Sequence, residues 1–410
     1  MSKSILVLSY YANMPGACQA EWVDDRINSF IDRGYEITLL SSICTFKNKN
    51  IKHIRIPTIS PHGFIYEFEE IKRRSIKYSG LSKFIISLYY LICKFIYQIL
   101  KILKLKSGEG RWTWFVSSFI VSLFFLKKYE FIYSTGGPAS PHLTGILLKK
   151  ILAIRNLSEF QDPLSGDDIG RNKFAAFGLS VMEKFIIKES TKTIYCTKNA
   201  MKFAQKKYID FSKKIDFVYP GSNIIGKEKN KQVNKKINIT YLGSLYQSRN
   251  LDNLIEALFL LKQEGYDVEK LFEINLYGNI DKDILYRINQ VKLKIINIHG
   301  LINRDLAMNK ASQSDVLLLV QNTDNRSIAT IPFKTYDYLH TGRLILGLLY
   351  KNDELEDMLI NHGHIPCNAG DLNSIKSGLL KILNNKEKNE IKKCILTPEN
   401  ATEKMIKIIK

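Results

Sequence analysis

The second half of the chain alternates between apolar runs of strand length and helical segments. Helical segments of ten or more residues separate most of the runs, and buried parallel strands are near-continuously apolar in this way. The alternation predicts a doubly wound parallel sheet, because parallel strands need a crossover connection between them. The runs are INITYLGSL, LFEINLYGN, KIINIHGL, DVLLLVQN and RLILGLL.

The first half shows the same alternation. We predict a strand at residues 5–9, a loop at residues 10–17, a helix that continues through Phe30 and a second strand from Tyr35. The loop contains no G-x-G-x-x-G motif, which disfavours a dinucleotide-binding site. Further along, FIYSTGG, PHLTGILLKKIL and NLSEFQDP predict a strand, a helix and a strand. The fold class is therefore α/β, with two Rossmann-like domains.

Length and composition also favour two domains. A chain of 410 residues exceeds what one hydrophobic core usually serves. Residues 221–236 read GSNIIGKEKNKQVNKK, a polar, lysine-rich stretch that we interpret as a linker. It would separate an N-terminal domain, residues 1–220, from a C-terminal domain, residues 237–395. Residues 396–410 form a predicted terminal helix, which is a candidate for packing back on the N-terminal domain.

The net charge of +20 raises the question of a nucleic-acid partner. Lysine, isoleucine and asparagine are abundant throughout, and the sequence has no zinc finger, RNP-type motif or basic repeat. We therefore predict no nucleic-acid partner, and favour an anionic membrane lipid or an anionic nucleotide.

Cysteine spacing and the first residues bear on the compartment. The six cysteines are far apart with no C-x-x-C pair, which argues against a disulfide framework or a zinc site. The start MSKSILVLSYY enters a strand-like run at once and lacks the regions of a secretory signal. We predict a cytoplasmic location, with the inner face of the membrane as an option.

Residues 81–106 predict a basic amphipathic helix. Its polar side chains fall within an arc of roughly 120°, and the rest of the helix is largely apolar. The longest uncharged run in its first half, residues 84–93, is half of what a transmembrane helix needs. Two interpretations stay open, namely a core helix of the first domain and a helix on an anionic membrane surface with lysines at the headgroups. The polar residues are Lys83, Ser87, Lys94, Gln98, Lys101 and Lys104.

The segment IPFKTYDYLHTGRLILGL, residues 331–348, predicts a phosphate site. Pro332 suits the first turn of a helix, where its missing N–H costs nothing. The N–H groups around residues 330–333 would then point outward at the positive end of the helix dipole. Lys334 adds a positive charge, and Asp337 lies one turn further on, where its oxygens can hold a ribose diol. Gly342 ends the helix.

The segment YLGSLYQSRNLDNLIEAL supplies a second cation. It ends a strand, turns at Gly243 and delivers Arg249 near the start of a helix. Both loops would follow the carboxyl ends of parallel strands, so Arg249 and Lys334 can converge on one diphosphate. Arginine suits this role because its planar fork pairs two oxygens at once. The competing interpretation for each segment is an ordinary helix with solvated side chains.

Several motifs together resemble glycosyltransferase family 4. In the second half they are Y-L-G-S-L-x4-N-L-x2-L-I-E-A-L, INLYGN, IHGLINRDL, SDVLLLV and IPFKTYDYLHTGRLILGL. In the first half they are SYYANMPGACQAEWVDDRINSFIDRGYEITLLSS, STGGPASPHLTGILLKK and EFQDP. The resemblance covers nearly the whole chain. It implies the GT-B fold, in which two Rossmann-like domains face a central cleft, and retaining transfer of a sugar from a nucleotide donor.

The resemblance implies roles for residues of the C-terminal domain. Arg249 would neutralise the donor diphosphate, and Asp337 would bind the ribose. There are two departures from the family pattern. Ala329 stands where an acid often touches the sugar, and Ser244 stands where many members carry a second basic residue, for which Lys334 compensates. The other predicted donor-binding residues are Gly243, Ser244, Gly300, Leu301, Ile302, Thr330, Ile331 and Pro332.

The resemblance places the acceptor in the N-terminal domain. Gly136 and Gly137 occupy the loop in which the family commonly carries a central histidine, and His142 comes a turn later. With Gly16, these glycines are predicted on the acceptor side. Asp162 lies just beyond the carboxyl end of a predicted strand, where open sheets place their ligands. We predict that His142 and Asp162 act on the acceptor or the sugar.

The predicted chemistry is electrostatic. Negative charge accumulates on the leaving diphosphate, and fixed cations with a helix N-terminus lower that barrier. No aspartate pair with metal-ligand spacing is evident, so we predict neither metal nor cofactor. The predicted enzyme transfers a sugar to a glycan or lipid-linked acceptor, by analogy in bacterial cell-surface polysaccharide synthesis such as lipopolysaccharide or capsule. Two alternatives stay open, namely a sugar-nucleotide epimerase of the same fold and an inactive module that only binds nucleotide sugar.

Overall fold

Two parallel sheets form the framework of the chain. The chain folds as a first unit, Met1–Val218 with Ala401–Lys410, and a second unit, Tyr219–Asn400. Each unit contains one sheet with helical crossovers, which confirms the predicted α/β class. The structure is a computed structural model that describes residues 3–14, 18–103, 110–125, 127–166, 173–224, 236–291, 293–384 and 391–410.

The first sheet has seven parallel strands in the order β3-β2-β1-β4-β5-β6-β7. Every residue of β4 is buried, as expected for a parallel sheet covered on both faces. The strand order reverses between β1 and β4, which is where doubly wound sheets bind ligands. The strands β3 and β7 were not predicted, because both are short edge strands without a continuous apolar run. The strands are β1 Lys3–Ser9, β2 Tyr35–Ser42, β3 Lys52–Ile56, β4 Phe131–Thr135, β5 Arg155–Phe160, β6 Lys192–Tyr195 and β7 Ile215–Phe217.

Eight helices belong to the described part of the first unit. The last of them, α15, comes from the end of the chain, and its Ala401, Met405 and Ile409 enter the core beneath the first sheet. Their spacing of four residues puts them on one helical face. The helices are α1 Cys18–Asp32, α2 Pro61–Arg73, α3 Gly80–Ile102, α4 Trp114–Ser122, α5 Ser140–Leu152, α6 Lys173–Glu189, α7 Lys198–Lys207 and α15 Pro398–Ile409.

The second sheet has six parallel strands in the order β10-β9-β8-β11-β12-β13. Its core residues come mainly from β8, β9, β11 and β12, which are the apolar runs predicted as strands. β13 at the edge was not predicted, because its IPCN sequence is short and contains proline. The strands are β8 Ile237–Leu242, β9 Phe272–Tyr277, β10 Ile296–Gly300, β11 Val316–Val320, β12 Leu344–Leu349 and β13 Ile365–Asn368.

The first residues of the predicted linker pack inside the second unit. Gly221 has a φ of +77°, and a Cβ there would lie 2.6 Å from the carbonyl oxygen of Leu396. The buried Ser222 donates its N–H to the same carbonyl at 3.0 Å. Residues 225–235 of the predicted linker lie outside the described residues. The helices of this unit are α8 Asp252–Gln263, α9 Val268–Leu271, α10 Lys282–Gln290, α11 Arg304–Gln313, α12 Lys334–Thr341, α13 Asp353–Asn361 and α14 Leu372–Asn384.

Helix α3 buries little of its apolar surface. Of its 23 described residues, Cys93 alone is buried. The interpretation of this segment as a core helix is therefore wrong. By length and composition alone, α3 is long and apolar enough to cross a membrane, and it is the one described helix that meets this test. The predicted helix extended to residue 106, and residues 104–106 lie outside the described residues.

A buried glutamate joins the ends of three strands in the first sheet. Glu67 of α2 is fully buried and accepts hydrogen bonds from the Tyr10 hydroxyl at 2.9 Å and the Ser42 hydroxyl at 2.8 Å. It also accepts from the Thr58 N–H at 3.0 Å. Tyr10 and Thr58 follow β1 and β3, and Ser42 is the last residue of β2. Burial raises the pKa of Glu67 to about 7, although the hydrogen bonds oppose the rise.

The variant Glu67→Gln tests this buried carboxyl. Its folded-state pKa of about 7 exceeds the ordinary value, so the folded protein holds an additional proton in the intervening pH range. Ionisation then disfavours the folded state, and the wild type loses up to about 3 kcal/mol of unfolding free energy as the pH rises from about 5 to 8. The glutamine variant lacks this contribution. Urea unfolding of both proteins at the two pH values measures this contribution. If the wild type and the variant differ in unfolding free energy by the same amount at both pH values, the raised pKa of Glu67 is wrong.

Candidate active site

The loops after β8, β9 and β10 meet backbone to backbone at the carboxyl edge of the second sheet. The Gly243 N–H donates to the Tyr277 carbonyl at 2.8 Å, and the Gly278 N–H donates to the Gly300 carbonyl at 2.8 Å. A Cβ at Gly278 would lie 2.1 Å from the Gly243 carbonyl oxygen. All three glycines have positive φ. Gly278 was not predicted as a site residue, although it stands in the quoted motif INLYGN.

The two predicted cations meet around one buried tyrosine. The Lys334 ammonium lies 3.8 Å from the centroid of the Tyr241 ring and donates to the Leu242 carbonyl at 2.8 Å. The Arg249 guanidinium lies close enough to the Tyr241 phenol to lower its pKa. It also lies 5.2 Å from the ring centroid of Tyr246. The structure therefore brings Arg249 and Lys334 together, as the predicted diphosphate site requires. Tyr241 itself was not predicted.

Burial and charge act together around Tyr241. Burial raises the pKa of the Tyr241 phenol, and the Arg249 guanidinium opposes that rise. The Arg249 Nε is buried and has no hydrogen-bond partner among the described residues. An unsatisfied buried donor costs about 1–3 kcal/mol, which a bound anion would offset. A Cβ at Gly243 would lie 3.0 Å from the Lys334 Nζ, so glycine also leaves room for the ammonium.

The proline-led helix begins two residues later than predicted. Helix α12 starts at Lys334, with Phe333 as its cap residue. The Thr335 N–H donates to the Pro332 carbonyl at 2.9 Å, which is a tight turn before the helix rather than its first turn. Pro332 therefore shapes the entry into the helix, and Lys334 occupies the first helical position.

Two side-chain amides hold the loop before α12. The Gln321 amide, after β11, donates to the Thr330 carbonyl at 3.0 Å, and the Asn352 amide, after β12, donates to the same carbonyl at 2.9 Å. Asn352 also donates to the Ser327 carbonyl at 2.5 Å. Ile331 is buried beside them. The ends of two adjacent strands thus fix the predicted donor loop.

Asp337 lies in a buried network. Its Oδ1 accepts from the Ser222 hydroxyl at 2.6 Å and from the Arg304 guanidinium at 3.0 Å. Burial raises the pKa of Asp337, and the positive Arg304 opposes the rise. The Arg304 guanidinium also lies 5.2 Å from the ring centroid of Phe333, which links α11 to α12. The Asp337 carboxylate thus already accepts hydrogen bonds from two protein donors. Its ribose-binding role stays a prediction.

The loop that contains Ala329 carries an ion pair that was not predicted. Ala329 ends a 3₁₀ turn, and Asp324 caps its start. Asp324 pairs with Arg326 at 2.7 Å, and this pairing holds the pKa of Asp324 at about 2. The Ser248 hydroxyl donates to the same carboxylate. The pair therefore joins the loop after β11 to the loop after β8 that carries Arg249.

The predicted nucleobase residues lie at the end of β10 and directly after it. Gly300 has a φ of +72°, Leu301 is 74% exposed and Ile302 packs partly on the core. Beside them the His299 ring stacks on Tyr277 with centroids 4.4 Å apart. An exposed apolar side chain next to a stacked aromatic pair suits a planar base. Ser244, the remaining predicted donor residue of the second unit, is half-buried and accepts from the Tyr241 hydroxyl through its carbonyl.

In the first unit, the loops after β4 and β5 meet the start of α1. The Gln161 amide donates to the Gln19 carbonyl at 3.1 Å. A Cβ at Gly137 would lie 3.0 Å from the Gln19 amide nitrogen, and Gly136 has a φ of +127°. Gln19 and Gln161 were not predicted as site residues. The predicted Gly16 lies outside the described residues.

His142 and Asp162 lie at different depths. Asp162 is exposed two residues beyond β5, at the carboxyl edge of the first sheet. His142 is fully buried, with its Nδ1 3.0 Å from the Ser134 hydroxyl and its ring 4.9 Å from Phe160. Burial lowers the pKa of His142 to about 3, so its imidazole is neutral at pH 7. This environment is that of a packing residue, and the catalytic role of His142 stays a prediction.

The described part of the chain has no cluster of side chains that could bind a metal ion. No group of three or more His, Cys, Asp or Glu side chains is placed there to hold a metal ion. Arg249 and Lys334 are the predicted positive charges, and transfer without a metal stays a prediction that rests on them.

No protein-family model and no curated protein matches the chain. Solved structures match over its whole length. The catalytic domain of starch synthase IV from Arabidopsis thaliana, bound to ADP and acarbose, has a TM-score of 0.67 at 8% identity, and the match covers 100% of this chain and 99% of that one. Sucrose-phosphate synthase from Thermosynechococcus elongatus has a TM-score of 0.61 at 10% identity, with 99% and 95% covered. This is the GT-B fold.

One of the structural neighbours is assigned a different activity. A protein assigned as a UDP-N-acetylglucosamine 2-epimerase from Listeria monocytogenes has a TM-score of 0.52 at 9% identity, with 99% of this chain and 95% of that one covered. Identities of this size show the fold alone. Membership of family 4 and retention of configuration stay predictions.

The variants Gly278→Ala and Gly265→Ala separate backbone strain from backbone contact. Both glycines have positive φ, but a Cβ at Gly265 meets nothing within 4 Å. Gly265→Ala should cost about 1–2 kcal/mol, the penalty of left-handed backbone. Gly278→Ala must also push the Gly243 carbonyl aside, and should cost at least about 3 kcal/mol. Urea unfolding measures both values, and equal losses would show that the contact carries no energy.

Proposed function

We propose that this protein is a glycosyltransferase that moves a sugar from a nucleoside diphosphate sugar to a glycan or lipid-linked acceptor. The observation that carries the proposal is the convergence of Arg249 and Lys334 on Tyr241 at the carboxyl edge of the second sheet. Paired cations at this edge suit a diphosphate. The GT-B fold supports the same assignment, since it is shared with a starch synthase bound to ADP.

The reaction needs charge stabilisation above all. The bond between the anomeric carbon and the diphosphate oxygen breaks, and its electron pair stays on the diphosphate. The acceptor oxygen then forms the new glycosidic bond, and its proton passes to the departing diphosphate oxygen. Arg249 and Lys334 are fixed where the leaving charge develops, and such preorganised cations lower the barrier without a metal. Retention of configuration is part of the proposal.

The acceptor belongs to the first unit in this proposal. Asp162 is exposed at the carboxyl edge beside Gln161, whose Oε1 is buried and has no hydrogen-bond partner among the described residues. A sugar hydroxyl would satisfy that oxygen. Bacterial cell-surface polysaccharide synthesis in the cytoplasm, such as that of lipopolysaccharide or capsule, is the proposed setting.

Arg249→Ala tests the site directly, once a thermal-shift screen of nucleoside diphosphate sugars has identified the donor. Loss of a preorganised cation should lower kcat by about 100-fold or more. Arg249→Lys keeps the positive charge but loses the planar guanidinium, so its kcat should lie between those of the wild type and Arg249→Ala. Arg287→Ala is the matched control, because its exposed ion pair with Asp252 is a surface contact of small energy. Full turnover by Arg249→Ala would refute the assignment.

Asp337→Asn tests the ribose role separately from the stability role. The variant should weaken nucleotide binding about tenfold through the loss of a charged acceptor, and should also lower stability because Arg304 loses its ionic partner. Asp315→Asn is the control, because Asp315 accepts from the Asn238 N–H at the amino edge of the same sheet. Calorimetric titration with nucleoside diphosphate measures affinity. If both variants lose only stability, Asp337 does not bind the ribose.

A sugar-nucleotide epimerase is the second candidate, because one structural neighbour is assigned that activity. Epimerisation changes the donor in the absence of any acceptor, whereas a transferase needs both substrates. Product analysis after incubation with donor alone therefore separates the two. Binding of nucleotide sugar without turnover on any acceptor would instead favour an inactive binding module.

A further inference from the structure

Helix α3 has two apolar faces, and one of them packs on α2. The Tyr89 ring lies 4.4 Å from that of Phe64, and the Tyr90 ring stacks on that of Phe68 at 3.9 Å. The Tyr89 hydroxyl donates to the Ile59 carbonyl at 2.8 Å. At 100° per residue, the residues of α3 that make these contacts fall in an arc of about 100°. This face holds α3 against the first unit along its length.

The opposite face of α3 is apolar and exposed. Its side chains fall in an arc of about 140°, whose centre lies about 140° around the helix from the centre of the packed face. Their relative exposure ranges from 38% to 78%. A soluble surface rarely carries so long a contiguous apolar strip without a partner. The residues of this face are Leu81, Phe84, Ile85, Leu88, Leu91, Ile92, Phe95, Ile96, Ile99 and Ile102.

Lysines flank the exposed apolar face. Lys83, Lys94 and Lys101 are exposed and share one narrow arc between the two apolar faces, and α3 contains no acidic residue. The adjacent end of α2 adds Lys72, whose ammonium lies 4.8 Å from the Phe68 ring, whereas the exposed Arg73 beside it pairs with Glu70 at 2.7 Å. The charge beside the apolar face is therefore wholly positive along α3, which complements anionic headgroups rather than a neutral surface.

We infer that α3 docks the protein on an anionic phospholipid surface, lying in the plane of the membrane with its exposed apolar face in the acyl boundary. The long lysine side chains reach the headgroups from the flank. A membrane-spanning helix would need lipid on every side, but the tyrosine face of α3 is committed to α2. The helix is therefore interfacial, although its length and composition alone permit a span.

Vesicle flotation of the full chain tests this inference without any donor or acceptor, so its outcome is independent of the proposed function. Vesicles of phosphatidylcholine alone and of phosphatidylcholine with phosphatidylglycerol are the two surfaces. We expect binding to the anionic vesicles. Lys83→Gln with Lys94→Gln should lower that binding about 25-fold, at about fivefold for each lysine.

Apolar substitutions test the exposed face itself. Leu88→Gln with Phe95→Gln should lower binding to the anionic vesicles by about tenfold or more without unfolding the protein, because both side chains are exposed. Phe203→Gln on α7 is the matched control, since it removes another exposed phenylalanine from a different helix of the same unit and should leave binding unchanged.

Three results would overturn the inference. The first is flotation that none of the α3 variants changes. The second is a dimer in lipid-free light scattering that Leu88→Gln with Phe95→Gln dissociates, because a second copy would then cover the face. The third is resistance of the membrane-bound protein to alkaline carbonate extraction, which would indicate a spanning helix. Extraction by carbonate together with loss of flotation in the variants supports the interfacial assignment.

Discussion

The candidate site depends on the close approach of two backbone segments, at Gly243 and Gly278. With no side chain at position 278, the loop after β9 lies directly against the carbonyl of Gly243. That contact fixes the loop after β8, which begins at Gly243, directly after Tyr241 and Leu242 of the strand, and carries Arg249. Lys334 can then reach the Leu242 carbonyl and the Tyr241 ring from α12. The geometry of the predicted diphosphate site, in which two distant segments meet, therefore depends on how closely two strand ends can pack, and the glycines permit that approach.

The apolar runs of the sequence predict the central strands of both sheets, but they do not predict the edge strands. A buried parallel strand such as β11, VLLLV, is a continuous apolar segment, and its burial on both faces is what the sequence pattern encodes. Edge strands such as β13 need fewer apolar residues, so their pattern resembles that of a loop. The start of α12 was misplaced for a related reason. Pro332 is compatible with a first helical turn and with the turn before it, and only the Thr335 hydrogen bond distinguishes them.

The predicted site residues differ in how deeply they are buried, and the residue type alone does not reveal this. Lysine and arginine near strand ends were predicted to converge, and the shared contact with Tyr241 follows from the common edge of parallel strands. His142 and Asp337 stand at equally suggestive positions, but both are buried against residues from other elements, such as Phe160 of β5 for the histidine and Ser222 for the aspartate. Long-range partners of this kind depend on tertiary packing. Local motifs therefore identify a site edge more reliably than they assign a role to each side chain on it.

The position of α3 bears on which acceptor the first unit can use. Helix α2 begins just after β3, so its first turn lies at the carboxyl edge of the first sheet, and His62 in that turn stacks on Tyr97 of α3 at 5.6 Å. The second half of α3 is therefore at the same edge as Asp162 and the loop of Gly136. A membrane beneath α3 would lie beside this edge, where an acceptor anchored by a lipid tail needs no extraction from the bilayer. Of the two proposed acceptor classes, this geometry favours the lipid-linked one.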